Sequence, residues 1–206
     1  MEDKFAEKAK TWDENPRRAE MSDRFFSEIL KNIEVKKRYK VLEFGCGTGL
    51  TGLKFVDMVD SLLMVDNSKA MLSVLEEKTK VNKIDNIEVL NGDITQMDID
   101  SNSIDIILSL MVLHHIDDIP SVLNMFKRIL KKGGYVVIGD LCKEDGDFHG
   151  IESVAHNGFT VDEIDSLFNN CNFSIQKIYD YYTVKKPDSS GLLKEYRQFI
   201  LIAKNQ

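Results

Sequence analysis

Cysteine is scarce in this chain of 206 residues, and long apolar runs are missing. Cys46, Cys142 and Cys171 lie far apart and form no C-x-x-C pair, so the sequence predicts neither a disulfide framework nor a zinc site. No apolar run approaches the roughly 20 residues that cross a bilayer. The polar start, MEDKFAEKAKTWDENP, also lacks the apolar core of a signal peptide. These absences favour a soluble cytoplasmic protein without a membrane partner.

An excess of positive charge is missing as well. Charged residues make up 30% of the chain, and the net charge is -7. Nucleic-acid phosphates bind basic surfaces, whereas the one dense basic run, VKKRYK at 35–40, has the composition of a solvated loop or helix end. The composition therefore argues against a nucleic-acid partner. A chain of this length with 43% hydrophobic residues is expected to form one domain, 1–206.

Strand-like apolar runs alternate with helix-like segments from about Lys40 onward. This alternation predicts a parallel sheet with helices on both faces. Asn67 or Ser68 is expected to cap the second of these helices, and the sequence KKGG is expected to end the third. The predicted strands cover 39–44, 61–66, 86–93, 103–113 and 135–141, and the predicted helices cover 49–60, 67–82, 118–130 and 160–170.

Both ends of the chain depart from the alternation. The first 35 residues predict a helical cap on a core of residues 36–206, with Asn15-Pro16 marking a helix start. At the other end, FSIQKIYDYYTVKK and YRQFILIAKN are β-rich and are joined by a loop, 187–191, that is too short for a crossover helix. They are expected to pair antiparallel. The predicted fold class is α/β, with a doubly wound, mostly parallel seven-stranded sheet and an antiparallel last strand.

The stretch KVLEFGCGTGL places Gly45, Gly47 and Gly49 directly after the first predicted strand. A dinucleotide-binding fingerprint reads G-x-G-x-x-G, whereas the spacing here is G-x-G-x-G. Taken alone, the pattern fits a ligand-binding loop and a simple strand-to-helix turn equally well, because glycine serves wherever a turn needs positive φ.

Three acids at the ends of successive predicted strands favour the ligand-binding interpretation. Glu43 precedes the glycine loop, Asp66 ends the second strand, and Asp93 follows the third. Ligands of open parallel sheets lie at the carboxyl ends of the strands. Asp66 is therefore placed to accept hydrogen bonds from ribose hydroxyls, and Asp93 is placed near the amino group of a base.

Together these motifs resemble those of the class I S-adenosylmethionine-dependent methyltransferases, in particular their small-molecule, type 11-like branch. VLEFGCGTG resembles the first motif of that family, LLMVDNSKAML the second and NGDITQM the third, and SIDIILSLMVLHHIDD with ILKKGGYVVIGD resembles its fourth strand and the step to its fifth. The resemblance covers about Tyr39 to Gln206. It implies a Rossmann-like methyltransferase fold, with S-adenosylmethionine as the cofactor and a small-molecule methyl acceptor.

Electrostatics favours this cofactor over a nicotinamide dinucleotide. The sulfonium of S-adenosylmethionine is cationic, whereas Glu43, Asp66 and Asp93 would repel a pyrophosphate. Two alternatives stay open at this point: a protein that binds S-adenosylmethionine and catalyses nothing and, less favoured, a nicotinamide-dependent oxidoreductase.

The resemblance also implies roles for individual residues. Glycines of the loop make room for the methionine part of the cofactor, Met71 packs on the adenine, and the amide of Ile94 reads its edge beside Asp93. Trp12 resembles an aromatic residue that closes over the cofactor from the N-terminal helices. The residues implied to bind the cofactor are Trp12, Glu43, Gly45, Cys46, Gly47, Gly49, Asp66, Asn67, Met71, Asp93, Ile94 and Ser109.

Histidines are the candidates for the acceptor side. His114 and His115 follow the fourth predicted strand, and either is a candidate general base if the acceptor loses a proton. Alternatively, their imidazoles only bond the backbone at a helix entry. His149 and His156, in the long loop 142–159, are predicted to face the acceptor.

The same loop and the N-terminal segment 1–20 are predicted to order over the cofactor as a lid. A metal site built from Asp145, Asp147 and the loop histidines has no recognised ligand spacing, so the sequence predicts no metal. The step Ser109-Leu110-Met111-Val112 is largely apolar and lacks the polar-Pro-Pro-aromatic motif of the family members that methylate amino groups of bases. It therefore argues against an adenine or a glutamine amide as the acceptor.

Overall fold

The computed structural model describes residue 3 and residues 5–150, 152–188 and 191–206. Its helices are α1 (Pro16–Asn32), α2 (Lys69–Val81), α3 (Ile119–Ile129) and α4 (Val161–Asn170), and short 3₁₀ helices cover Ala9–Glu14, Gly52–Phe55, Ile94–Gln96 and Leu113–His115. Its strands are β1 (Lys40–Phe44), β2 (Ser61–Asp66), β3 (Ile87–Asn91), β4 (Ile104–Leu110), β5 (Leu130–Leu141), β6 (Phe173–Pro187) and β7 (Leu193–Asn205).

The seven strands form one sheet in the order β3-β2-β1-β4-β5-β7-β6. The first five strands are mutually parallel, and β7 is antiparallel to both β5 and β6. The predicted fold class, including the antiparallel pairing of the two C-terminal runs, is confirmed. Because β1 and β4 are adjacent while the chain reaches β2 and β3 in between, the strand order reverses beside β1, where ligands bind in such sheets.

Helices cover both faces of the sheet. Alternation along β1 directs Leu42 and Phe44 into one apolar cluster and Val41 into the other. The first cluster takes its helical side chains from α3 and α4, and the second takes them from α1 and α2. The central strands are thus buried on both sides, which explains their nearly continuous apolar sequences.

The helix predicted over 49–60 is wrong: only Gly52–Phe55 is helical there, as a short 3₁₀ helix. Gly49 has a φ of +81°, which a right-handed helix cannot continue. The amide of Gly52 then donates to the carboxyl group of Glu43 at 2.8 Å. This amide is therefore not available for a hydrogen bond within a helix. Two glycines within four residues weaken the helix further.

The end of α3 also differs from its prediction. The helix ends at Ile129, Leu130 already has extended geometry, and KKGG lies inside β5 rather than at a helix end. The register between β4 and β5 shifts between Ile104 and Ile106, because the extra residues form a bulge. Gly133, with a φ of +77°, allows that bulge.

Side-chain caps set the starts of the helices as expected. Ser68, rather than Asn67, caps α2 by accepting a hydrogen bond from the amide of Met71. Asn15 caps α1, where Pro16 takes the first helical position. Thr160 and Glu163 form a reciprocal capping box at α4.

The long loop 142–159 is tied at its two ends and carries no helix or strand in its described part. Cys142 pairs with Phe159 through an isolated bridge, and the amide of Glu144 donates to the carbonyl of Asn157 at 3.0 Å. Residues 1, 2, 4 and 151 of the two predicted lid segments lie outside the described residues. Among the residues that the structure describes, no helix is both long and apolar enough to cross a membrane.

Candidate active site

One large cavity, of about 1800 Å³, opens at the carboxyl ends of β1, β2 and β4. The glycine loop, the start of α2, the 3₁₀ turn after β4, the N-terminal segment and the long loop contribute its walls. Most residues that the sequence assigned to a site line it: Trp12, Glu43, Gly45, Cys46, Gly47, Asp66, Asn67, Met71, Asp93, Ile94, His114, His115 and His149.

Two glycines of the loop need to be glycine for different reasons. A Cβ on Gly45 would run into the side chain of Val112, so this position is closed by packing. A Cβ on Gly47 would meet nothing within 4 Å, although its φ of +52° disfavours any side chain. Gly47 therefore leaves open space on the cavity side of the loop, as the prediction of a ligand-binding loop requires.

The carboxylate of Asp66 organises this loop from the end of β2. Its Oδ2 accepts the amide hydrogen of Gly47 at 2.7 Å, and its Oδ1 accepts that of Ser68 at 2.8 Å. Burial, partly offset by these hydrogen bonds, raises the pKa of Asp66. Each carboxylate oxygen still has a second lone pair, so ribose hydroxyls can be bound without releasing the loop.

Glu43 lies deeper, at 3% exposure beneath the glycine loop. Burial is the main cause that raises the pKa of Glu43 to about 8, and the nearby Asp66 carboxylate adds to it. At neutral pH the protonated carboxyl group is therefore favoured in the absence of a neighbouring cation. A cationic ligand in the cavity would favour the ionised form.

The residues predicted to contact the adenine follow the carboxyl ends of β2 and β3. Met71, 2% exposed, lies in the first turn of α2, and Ile94 is completely buried. Asp93 caps the 3₁₀ helix Ile94–Gln96 and accepts hydrogen bonds from the amide and the hydroxyl of Thr95 at 2.9 and 2.8 Å.

Trp12 lies in the 3₁₀ helix Ala9–Glu14, beside the cavity. The guanidinium carbon of Arg18 lies 3.6 Å from the centroid of its indole ring, a cation–π contact. The ring of Phe5 packs edge-on against the indole at 5.8 Å and against the imidazole of His115 at 6.0 Å. The N-terminal segment thus reaches across to the turn after β4.

A histidine cluster, defined as His114, His115 and His149, forms part of the cavity wall. One ring nitrogen of each side chain lies within 4.8 Å of those of the other two. His114 is fully buried, its Nδ1 lies 2.6 Å from Oδ1 of Asp140, and its Nε2 lies 3.0 Å from Nε2 of His149. Burial, and next the neighbouring His114, lowers the pKa of His149 to about 4.

Three predicted residues do not line the cavity. Gly49 lies behind the loop, where a Cβ would come 2.6 Å from Cδ1 of Leu75, so its role is packing. Ser109 is buried in β4. His156, predicted to face the acceptor, bonds instead through Nε2 to the carbonyl of Ile116 at 3.0 Å. It holds the long loop to the turn after β4.

The sequence interpretation missed several residues of the site. Asp140 is a lone acid at the end of the otherwise apolar fifth strand YVVIGDL. An acid in an apolar strand could have pointed to a functional side chain. Arg17, Arg18 and Lys186 also line the cavity. They come from α1 and from the far end of β6, so nothing in their local sequence pointed to the site.

Comparison with known proteins agrees with this geometry. Residues 42–138 match the model of a family described as Methyltransferase domain. The uncharacterized methyltransferase C1347.09 of Schizosaccharomyces pombe is 28% identical over 161 residues, which are 70% of this chain and 57% of that protein. Demethylmenaquinone methyltransferase of Staphylococcus carnosus is 34% identical over 112 residues, 53% of this chain and 46% of that protein. The chain thus spans about half the length of these curated relatives.

A solved structure shows the same fold. The crystal structure of an S-adenosylmethionine-dependent methyltransferase from Aquifex aeolicus superimposes with a TM-score of 0.75 at 20% sequence identity, covering 98% of both chains. At that identity the likeness concerns the fold.

Proposed function

We propose that this chain, a class I S-adenosylmethionine-dependent methyltransferase, transfers the methyl group of this cofactor to a small-molecule acceptor with an anionic group. The observation that carries the proposal is the set of cations that line the cavity. Arg17, Arg18 and Lys186 contribute to its walls together with the strand-end acids Glu43 and Asp66. A cytoplasmic protein without a nucleic-acid partner is part of the same proposal, supported by the net charge of -7.

The acids at the ends of the strands suit the cofactor. Asp66 has lone pairs for the ribose hydroxyls, Met71 and Ile94 supply an apolar adenine site, and Glu43 offers a carboxylate to a positively charged ligand. The methionine part of the cofactor also carries a carboxylate, which needs a cation. Arg18, held over the Trp12 ring, is the residue that we assign to it.

Two cations of the cavity, Lys186 and Arg17, suit the acceptor. The ammonium of Lys186 lies 4.1 Å from the centroid of the ring of Phe148, the residue before His149. The guanidinium of Arg17 donates to the carbonyl of Lys185 at 3.3 Å. Among the described residues, neither Arg17 nor Lys186 takes part in an ion pair. Asp147, an acid near Lys186, is itself paired with Lys194 at 2.8 Å.

Burial, and next the charge of Arg17, lowers the pKa of Lys186. This direction supports an ammonium that the chain compensates only in part, through the carbonyl of Phe148, which accepts a hydrogen bond from it. A carboxylate or phosphate on the acceptor would supply the compensating charge. The acceptor would then extend from the cationic pair, past Phe148, to the histidine cluster.

The reaction is an in-line displacement. A lone pair of the acceptor atom forms the bond to the methyl carbon, the electrons of the carbon–sulfur bond stay on sulfur, and S-adenosylhomocysteine leaves as a neutral sulfide. An acceptor atom that carries a proton releases it. The protein chiefly supplies orientation and exclusion of water, and we assign the histidine cluster, which lines the cavity, to the acceptor atom.

A paired acceptor screen tests the proposal. Small carboxylic and phosphoric acids and their neutral esters or amides are incubated with S-adenosylmethionine, and formation of S-adenosylhomocysteine is measured. We expect turnover with one or more acids and at least about tenfold less with the neutral partner, since a charge-assisted hydrogen bond contributes about 1.5–3 kcal/mol. Binding of the cofactor without turnover of any acceptor would favour the non-catalytic binding protein. Comparable binding of NAD would favour the oxidoreductase.

Two adjacent lysines provide a matched pair of variants. Lys186→Gln should raise the KM for the anionic acceptor at unchanged affinity for S-adenosylmethionine. Lys185→Gln is the control, because the side chain of Lys185 is exposed and is paired with Glu195 at 2.7 Å. Equal effects of the two substitutions would contradict the anionic acceptor site.

A further inference from the structure

We propose that the histidine cluster is a binding site for a divalent transition-metal ion. Three imidazoles from two separate segments, the turn after β4 and the long loop, present ring nitrogens that all lie within 4.8 Å of one another. The cluster faces the cavity, so a bound ion would keep coordination positions open to a ligand there. Imidazole is a good ligand for zinc, iron, cobalt and nickel, whereas magnesium and calcium prefer oxygen.

The strongest support is the partner of His114. The carboxylate of Asp140 also accepts the amide hydrogen of Leu141 at 2.7 Å, so it acts as an acceptor, and the ring Nδ1–H of His114 donates to it. In the neutral imidazole this bond leaves the lone pair of His114 on Nε2, the atom that lies 3.0 Å from Nε2 of His149. A carboxylate behind the imidazole is the arrangement that orients histidine ligands in metalloproteins and increases their basicity.

The separation of the nitrogens is compatible with a shared ion. Metal–nitrogen bonds of histidine are about 2.0–2.1 Å long, so two nitrogens on one ion are at most about 4.2 Å apart. The 3.0 Å between the Nε2 atoms of His114 and His149 fits an ion bound to both. A tetrahedral ion holds such nitrogens about 3.3 Å apart, so a pair near the 4.8 Å limit of the cluster has to close by about 1.5 Å when the ion binds.

Burial of the pair behind the cluster points the same way. Asp140 and His114 are both fully buried, so the carboxylate holds the ring of His114 in one orientation. The loop is held where the ion requires it, because the amide of His156 donates to the carbonyl of His114 at 3.0 Å.

A metal ion would also give the cluster a role in the reaction, and this role rests on the proposed function. An oxygen, nitrogen or sulfur atom of the acceptor that binds an open coordination position loses its proton more easily. The proton then goes to solvent, and no imidazole has to serve as the base.

The competing explanation is a plain hydrogen bond between two imidazoles. With the lone pair of His114 on Nε2, a neutral His149 that carries its proton on Nε2 would donate to it at the observed 3.0 Å. A metal ion and that proton exclude each other, because both use the same lone pair of His114. The two explanations are therefore separable by titration with a metal.

The experiment uses the untagged full chain, stripped of metal by a chelator, and Co²⁺ as the probe. We expect one equivalent of Co²⁺ to bind, with visible d–d absorption typical of nitrogen ligation, and a hundredfold excess of Mg²⁺ not to displace it. His149→Ala should weaken Co²⁺ binding at least tenfold. Asp145→Asn is the matched control, an exposed potential ligand of the same loop outside the cluster, and it should retain the spectrum.

The outcomes decide the proposal independently of the enzymatic one. Absence of the cobalt spectrum at millimolar Co²⁺, or an equal spectrum in His149→Ala, would overturn the metal site. Binding of S-adenosylhomocysteine to the stripped protein is measured in parallel by calorimetry. Retained cofactor binding without cobalt binding would reject the metal site alone, whereas loss of cofactor binding in every variant would reject the proposed function.

Discussion

The Nδ1 atom of His114 lies 2.6 Å from Oδ1 of Asp140, and both side chains are completely buried. The pair joins the turn after β4 to the end of β5, which are adjacent strands of the sheet. It fixes which ring nitrogen of His114 faces the cavity. The chemistry of the histidine cluster therefore depends on a residue that does not itself line the cavity.

Replacing that carboxylate should separate catalysis from cofactor binding. In Asp140→Asn the side-chain amide can donate to Nδ1 of His114, which moves the ring proton to Nε2 and removes the lone pair that faces His149. We expect kcat to fall about 10- to 100-fold, in line with the loss of other partners behind histidine ligands, with an unchanged affinity for S-adenosylmethionine. Single-turnover rates and calorimetry measure the two quantities. Asp98→Asn, at an exposed site, is the control, and an equal kcat in both variants would contradict the role of Asp140.

Removing the carboxylate of Asp66 should affect the cofactor directly. Asp66→Ala loses the contacts to the ribose and also the two amide hydrogen bonds that shape the glycine loop. We expect the affinity for S-adenosylhomocysteine to fall by about 2–3 kcal/mol, measured by calorimetry. Asp57→Ala, at an exposed position in the connection before β2, should bind normally. An unchanged dissociation constant in Asp66→Ala would show that the cofactor lies elsewhere.

Two glycines with similar backbone strain allow the role of the loop to be tested. A Cβ at Gly47 and one at Gly133 would each meet nothing within 4 Å, and both residues have positive φ, +52° and +77°. A branched side chain should therefore cost each site a similar amount of stability, about 1–2 kcal/mol. Gly47→Val should also abolish binding of S-adenosylhomocysteine, whereas Gly133→Val, in β5 outside the cavity lining, should retain it. Similar binding of S-adenosylhomocysteine by the two folded variants would show that Gly47 serves only to form the turn.

The raised pKa of Glu43 makes stability depend on pH. The folded protein holds the proton up to a pH of about 8, whereas the unfolded chain releases it near its ordinary value of about 4.3. Between these values the folded state binds more protons, so the free energy of unfolding falls as the pH rises, by at most about 1.4 kcal/mol per pH unit. Glu43→Gln should remove this contribution. Urea unfolding at pH 5.5 and 7.5 checks it, and parallel pH dependences in the two proteins would refute it.

The lid remains a prediction, with a structural basis in contacts between its two segments. Lys8 of the first segment forms an ion pair with Glu152 of the second, and Phe5 packs against His115 in the turn after β4. Exposed ion pairs contribute little stability, so we expect these segments to open without ligand. Hydrogen exchange of residues 5–14 and 152–159 should slow on adding S-adenosylhomocysteine, while α4 serves as an internal control. Unchanged protection in both segments would leave the acceptor site to the rigid strand ends.

The sequence predicted the parallel half of the fold well because buried central strands are continuous apolar runs, as in β2 and β4. It failed at 49–60, where the amide of Gly52 bonds to the buried carboxylate of Glu43 instead of a helical carbonyl. No apolar periodicity reports such a tertiary hydrogen bond. Helix starts were predictable because Ser68 and Asn15 act on residues three and two positions away.

The difference between local and distant contacts also separates the two sides of the site. The cofactor side is made of loops that directly follow strands, so Asp66 and Asp93 could be placed from local order alone. The acceptor side joins residues distant in sequence: Asp140 meets His114 across two strands, and Lys186 reaches Phe148 from β6. His156 was misplaced for the same reason, since its partner is the carbonyl of Ile116.

The position of β7 has a consequence for the order in which the chain can fold. The last strand lies between β5 and β6, and β6 has no other partner in the sheet. During synthesis, β5 therefore exposes an unpaired edge, and β6 has no strand partner, until the ribosome has delivered β7. Unpaired edges invite association with other chains. The vulnerable period of this protein is thus the interval between the synthesis of β5 and the emergence of β7.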